Sequence, residues 1–161
     1  MPAPLLIGYL DGNGHPKLTI RVSGTQPTAY ADMEAMIDTG FTGFLMLPLV
    51  QALPLGLPLY GTANYTLANG QTVTNFVAEG TVTILPPSQV PTGEELPVPS
   101  TFTETVRGAV VLGGDDALLG MEFIRGLDKL LIVGKIVALI NQTIPTQAAS
   151  AAGNTTAESV P

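Results

Sequence analysis

The chain has 161 residues, 45% of them apolar and 12% charged, enough for one hydrophobic core and too few for two full domains. A net charge of −7, with six scattered Lys and Arg, leaves no basic stripe to neutralise a phosphate backbone, which excludes nucleic acid as an expected partner. The lack of cysteine removes thiol nucleophiles, Cys-ligated zinc and disulfides together, and fits a cytoplasmic protein.

Eighteen glycines and fourteen prolines punctuate short Val/Thr/Ile/Leu runs, a pattern of strands and turns that predicts an all-β domain. The first residues, Met1 to Ile7, lack a basic region followed by a long apolar run and do not read as a signal peptide. Leu5–Leu10 and Lys17–Val22 form an opening hairpin around Asp11-Gly12-Asn13-Gly14, whose residue types tolerate positive φ. A turn over Ser23–Pro27 leads to the strand Ala31–Ile37, which delivers Asp38-Thr39-Gly40 where strand becomes loop. Phe44–Leu47 reads as a further strand, and Pro48 opens a short helix over Leu49–Leu53.

Tyr60–Leu67 and Gln71–Val77 flank Ala68-Asn69-Gly70 and predict a long hairpin, continued by a strand over Gly80–Leu85. From Pro86 to Glu104 five prolines appear and apolar periodicity is lost, as expected of an exposed insertion. Val106–Leu112 resumes as strand, Leu118–Gly126 carries a helical pattern, and Leu130–Ile140 ends the pattern as a strand or hairpin around Gly134-Lys135. That last run falls short of the roughly 20 apolar residues needed to span a bilayer, so no membrane partner is expected. The Ala/Ser/Thr-rich stretch 141–161 offers little apolar surface and is expected to be a disordered tail, leaving 1–140 as the domain. Sequons at Asn64, Asn141 and Asn154 carry little weight without a secretion signal.

An apolar strand ending in Ile37-Asp38-Thr39-Gly40-Phe41-Thr42-Gly43, an Asn-Gly hairpin, and Leu118-Leu119-Gly120 lying 82 residues after Asp38 occur in an order that resembles the retropepsin-like aspartic protease family over roughly Leu5 to Ile140. The resemblance implies a retropepsin-like acid protease fold: a closed, antiparallel, barrel-like all-β domain with one short C-terminal helix. It implies that Asp38 is the catalytic carboxylate, that the Thr39 hydroxyl locks the two active-site loops together, and that Gly40 permits the turn. Ala68, Asn69 and Gly70 would then stand at the tip of a flap over substrate, and Leu118, Leu119 and Gly120 would cross behind the Asp38 loop and brace it. Retroviral members follow the apolar-apolar-Gly motif with Arg, paired to an acid near the catalytic triplet. Here Met121 follows Gly120, and no acid stands at Phe41-Thr42-Gly43. Loss of both partners avoids the cost of one buried charge left alone, and the sequence resembles the cellular or bacterial branches of the family more than the viral one.

The chemistry such a site performs needs two carboxylates and one water, with no metal or other cofactor. One Asp-Thr-Gly per chain implies a homodimer acting on a peptide or protein substrate, with Leu5–Leu10 and Leu130–Ile140 as the candidate interface strands. A catalytically silent binding or scaffolding module on the same fold is the alternative, and a heterodimer with a related chain is a third arrangement.

Plainer roles stand beside these. Asp38 and Thr39 suit an ordinary turn. His15, the only histidine, reads as a hairpin residue, since the oxygen ligands of a calcium loop and the partners of a Ser-His-Asp triad are missing. Gly113-Gly114-Asp115-Asp116 reads as a solvated turn, and Asp32 and Glu34 as a solvent-facing alternation. Phe41, Phe44, Leu47 and Tyr65 either line a cleft or fill the core, and Glu94 and Glu95 read as solvated.

Overall fold

The computed structural model describes residues 5–26, 28–93, 105–127 and 130–139. Most of the expected insertion and all of the expected tail lie outside these residues.

The strands in chain order are β1 (Leu5–Leu10), β2 (Pro16–Ser23), β3 (Tyr30–Ile37), β4 (Leu45–Leu47), β5 (Leu59–Thr66), β6 (Thr72–Ile84), β7 (Thr105–Leu112), β8 (Leu118–Leu119), β9 (Leu130–Val133) and β10 (Ile136–Leu139). Between β4 and β5 lie a one-turn helix α1 (Leu49–Ala52) and a 3-10 turn (Leu53–Leu55). Helix α2 (Met121–Arg125) follows β8.

One edge of β2 pairs with β3 along its length. The other edge is divided: Pro16–Leu18 faces β1, and Ile20–Ser23 faces β6. That second pairing closes a ring of six strands in the order β6, β7, β4, β8, β3, β2. Most contacts in the ring are antiparallel, but β3–β8 and β4–β7 run parallel. The inward alternation of Leu18, Ile20 and Val22 on β2, and of Val82 and Ile84 on β6, fills the ring with fully buried aliphatic side chains. Phe44 and Phe123 meet edge to face inside it, with centroids 5.7 Å apart.

Two expectations are corrected. The helical pattern over Leu118–Gly126 resolves into a two-residue strand, Leu118–Leu119, and a helix that begins only at Met121. Pairing with β3 and β4 draws the two leucines into extended conformation, so tertiary context overrides local periodicity. The strand expected from Phe44 begins at Leu45, with the Phe44 ring turned into the core. In its own chain, β1 pairs with β10 over Leu5–Tyr9 and with β2 over Gly8–Leu10, and β5 and β9 are the outer strands of the sheet among the described residues.

Asp32 and Glu34 face outward as expected but are not idle. Asp32 takes a two-point hydrogen bond from Arg21, at 2.6 and 2.8 Å, and the Arg21 guanidinium lies 4.1 Å from the Tyr30 ring centroid. One carboxylate oxygen of Glu34 accepts from the hydroxyls of Ser88 and Tyr9, and the Ser88 N–H donates to Thr19 Oγ1 at 2.9 Å. The Ser88 and Tyr9 hydroxyls hold the Glu34 carboxyl below its usual range. The cluster ties the start of the proline-rich stretch to β1–β3.

Candidate active site

Asp38 stands at the carboxyl end of β3, and its position is fixed mainly by backbone hydrogen bonds. Its N–H donates to the Leu119 carbonyl at 2.9 Å, and its carbonyl accepts from the Phe41 N–H at 3.2 Å. The Gly40 N–H donates to Asp38 Oδ1 at 2.8 Å, which fixes the direction of the carboxylate while the side chain stays partly exposed. Gly40 does not adopt positive φ. Its missing side chain instead leaves room beside the acid, because a Cβ there would lie 3.1 Å from Asp38 Oδ1. Thr39 is exposed, and among the described residues its hydroxyl makes no hydrogen bond.

The bracing expected of Leu118-Leu119-Gly120 takes the form of a strand inserted between the two arms of the Asp38 loop. Leu119 pairs with Ile37 on one side and Leu45 on the other, and Leu118 pairs likewise with Met36 and Met46. Ile37, Leu119 and Leu45 are buried in the core. Leu118 and Met46 face the other way and pack with Phe41, Val111 and Tyr65 in a second, smaller apolar cluster.

Gly120 passes where no side chain fits. Its Cβ would lie 2.1 Å from the Gly43 carbonyl oxygen and 2.6 Å from that of Phe41. Those two carbonyls accept from the N–H groups of Glu122 (3.2 Å) and Met121 (2.8 Å), so α2 is stapled to the Asp38 loop through main chain alone. This staple joins the segments that an Arg–acid pair would otherwise join.

The long hairpin β5–β6 turns through Leu67–Gln71. Leu67 N–H donates to the Gln71 carbonyl and Gly70 N–H to the Leu67 carbonyl, both at 2.8 Å, with Gly70 in the left-handed region at φ 82°. Asn69 Oδ1 accepts from the Gln71 N–H at 2.9 Å. The opening hairpin is built alike, with Gly14 N–H on the Asp11 carbonyl and φ 81° at Gly14. Ala68, Asn69 and Gly70 are all exposed at the tip. The hairpin meets the Asp38 loop through Tyr65, whose ring centroid lies 5.6 Å from that of Phe41. Tyr65 is the residue that reading for motifs left undecided; its inward alternation, opposite exposed Thr66 and Asn64, was the available signal. Of the other undecided residues, Phe44 and Leu47 belong to the main core.

No protein-family model matches the sequence, and no curated protein is similar to it in sequence. Among solved structures, that of a retropepsin-like aspartic protease from Rickettsia conorii aligns with 86% of this chain and 91% of its own, at a TM-score of 0.50 and 19% identity. The chain has a retropepsin-like fold. Within this fold, Asp38 follows the end of β3, and β8 lies between β3 and β4 in the six-stranded ring. Among the described residues, no group of three His, Asp or Glu gathers as metal ligands would, and no helix is long and apolar enough to cross a membrane.

Proposed function

We propose that this protein is an aspartic endopeptidase whose active site forms at a homodimer interface, with Asp38 from each chain sharing one water. The observation that carries the reading is the mounting of Asp38, a partly exposed carboxylate held at a strand end by the Leu119 carbonyl and the Gly40 N–H. Such a group is rigid enough to aim at a water and open enough to reach one. A single chain supplies one such acid, so twofold symmetry is the simplest route to a pair.

Two carboxylates about 3 Å apart cannot both ionise readily and hold one proton between them, behaviour for which aspartic proteases are the known case. The ionised Asp38 takes a proton from water as it attacks the scissile carbonyl. The protonated partner polarises the carbonyl oxygen and then delivers its proton toward the leaving amine. In this reading the Thr39 hydroxyl, exposed in its own chain, meets its copy and locks the two loops. The β5–β6 hairpin, including Ala68, Asn69 and Gly70, serves as the flap and binds an extended peptide through backbone hydrogen bonds.

The test is cleavage of a diverse peptide pool by the purified protein from about pH 3 to pH 7, the range in which a coupled carboxylate pair titrates. The expected result is endoproteolysis with a bell-shaped pH profile, at a rate per chain that rises with protein concentration as dimers form. A folded dimer that cleaves nothing across this range would instead favour a binding or scaffolding module.

A further inference from the structure

Phe41 is wired to the catalytic loop at both ends of its backbone: its N–H reaches the Asp38 carbonyl, and its own carbonyl accepts the Met121 N–H that opens α2. Its ring is buried over Gly43 and Gly120, where any added Cβ would approach it to 2.6 Å. The ring leans on Tyr65 at 52° with centroids 5.6 Å apart, a tilted aromatic contact of the favourable kind. On β5, Tyr65 stands alone as an anchor. Its neighbours Asn64 and Thr66 face solvent, and of the β5 residues it is the one packed into the Phe41, Met46, Val111 cluster. Burial, with Glu122 nearby, raises the phenol above its ordinary value.

We infer that Tyr65 is a positioning residue that pins the flap to the catalytic loop through the Phe41 ring and so sets where the flap sits over the site. The inference rests on the peptidase reading for its kinetic consequence but not for its structural one. The ring carries the contact, so Tyr65→Phe keeps the pin and Tyr65→Ala removes it. A tilted aromatic pair of this kind corresponds to about a two- to ten-fold effect.

The experiment measures amide hydrogen exchange over the hairpin arms, with β2 amides as the internal standard, alongside peptidase kinetics. Tyr65→Ala is expected to speed exchange in β5 and the facing part of β6 by about two- to ten-fold. It should also raise KM by a similar factor with kcat held within about two-fold, because a loosened flap loses binding shared by substrate and transition state. Tyr65→Phe should restore both readouts. Hairpin exchange in Tyr65→Ala equal to wild type, or a Tyr65→Phe protein as perturbed as Tyr65→Ala, would overturn the inference. Exchange needs no turnover, so the pin stands or falls on it even where cleavage is absent.

Discussion

Replacing Asp38 by Asn is expected to reduce peptide cleavage by about a thousand-fold or more while leaving the fold in place. Asn keeps a side-chain oxygen that accepts the Gly40 N–H, and the backbone hydrogen bonds from Asp38 to Leu119 and Phe41 involve no side chain. The thermal midpoint should therefore move by no more than a few degrees. What Asn cannot do is accept and return a proton near neutral pH, and in a homodimer of the variant both acids are lost at once. Peptide-pool cleavage and a thermal melt of the same preparation make the check. Substantial cleavage by a folded Asp38→Asn protein would place the chemistry on other groups.

The second large effect is on stability. Gly120→Ala adds one carbon where two backbone carbonyls already stand at 2.1 and 2.6 Å. Neither oxygen can move without breaking the hydrogen bonds that join Gly43 and Phe41 to the start of α2. The expected cost is about 3 kcal/mol or more, a large share of the 5–15 kcal/mol that ordinarily separates folded from unfolded protein. For a chain of this length that corresponds to a fall in thermal midpoint of roughly 10 °C. Gly12→Ala is the matched control, because nothing lies within 4 Å of a Cβ there and its φ is not positive. It should shift the midpoint by about 1–2 °C at most. Equal melting of the two variants would show that the close crossing behind the Asp38 loop is not rigid.

The parts legible in the sequence were those set by local chemistry. Both hairpin turns were readable because Asn-Gly supplies the left-handed residue each turn uses, Gly14 and Gly70. The placement of Asp38 at a strand end followed from the apolar run before it, whose residues Ala35 and Ile37 are indeed buried. Non-local pairing was not legible. Leu118 and Leu119 become a strand only because Met36–Ile37 and Leu45–Met46, more than seventy residues earlier, flank them. Likewise, β1 gave no local sign that β10 of the same chain would occupy one of its edges. The Tyr65–Phe41 contact joins residues on different elements, which no alternation along β5 reveals. Glu34 read as a solvent-facing acid because neither Tyr9 nor Ser88 is near it in the chain.

The central claim is that two chains contribute one Asp38 each to a single site, and subunit mixing tests it most directly. Wild-type chains are equilibrated with increasing amounts of Asp38→Asn chains, and peptide cleavage is followed at fixed total protein. A shared site makes only wild-type pairs fully active, so cleavage should fall as the square of the wild-type fraction. Cleavage that falls in simple proportion to that fraction would mean that each chain carries a complete site of its own, and would contradict the account.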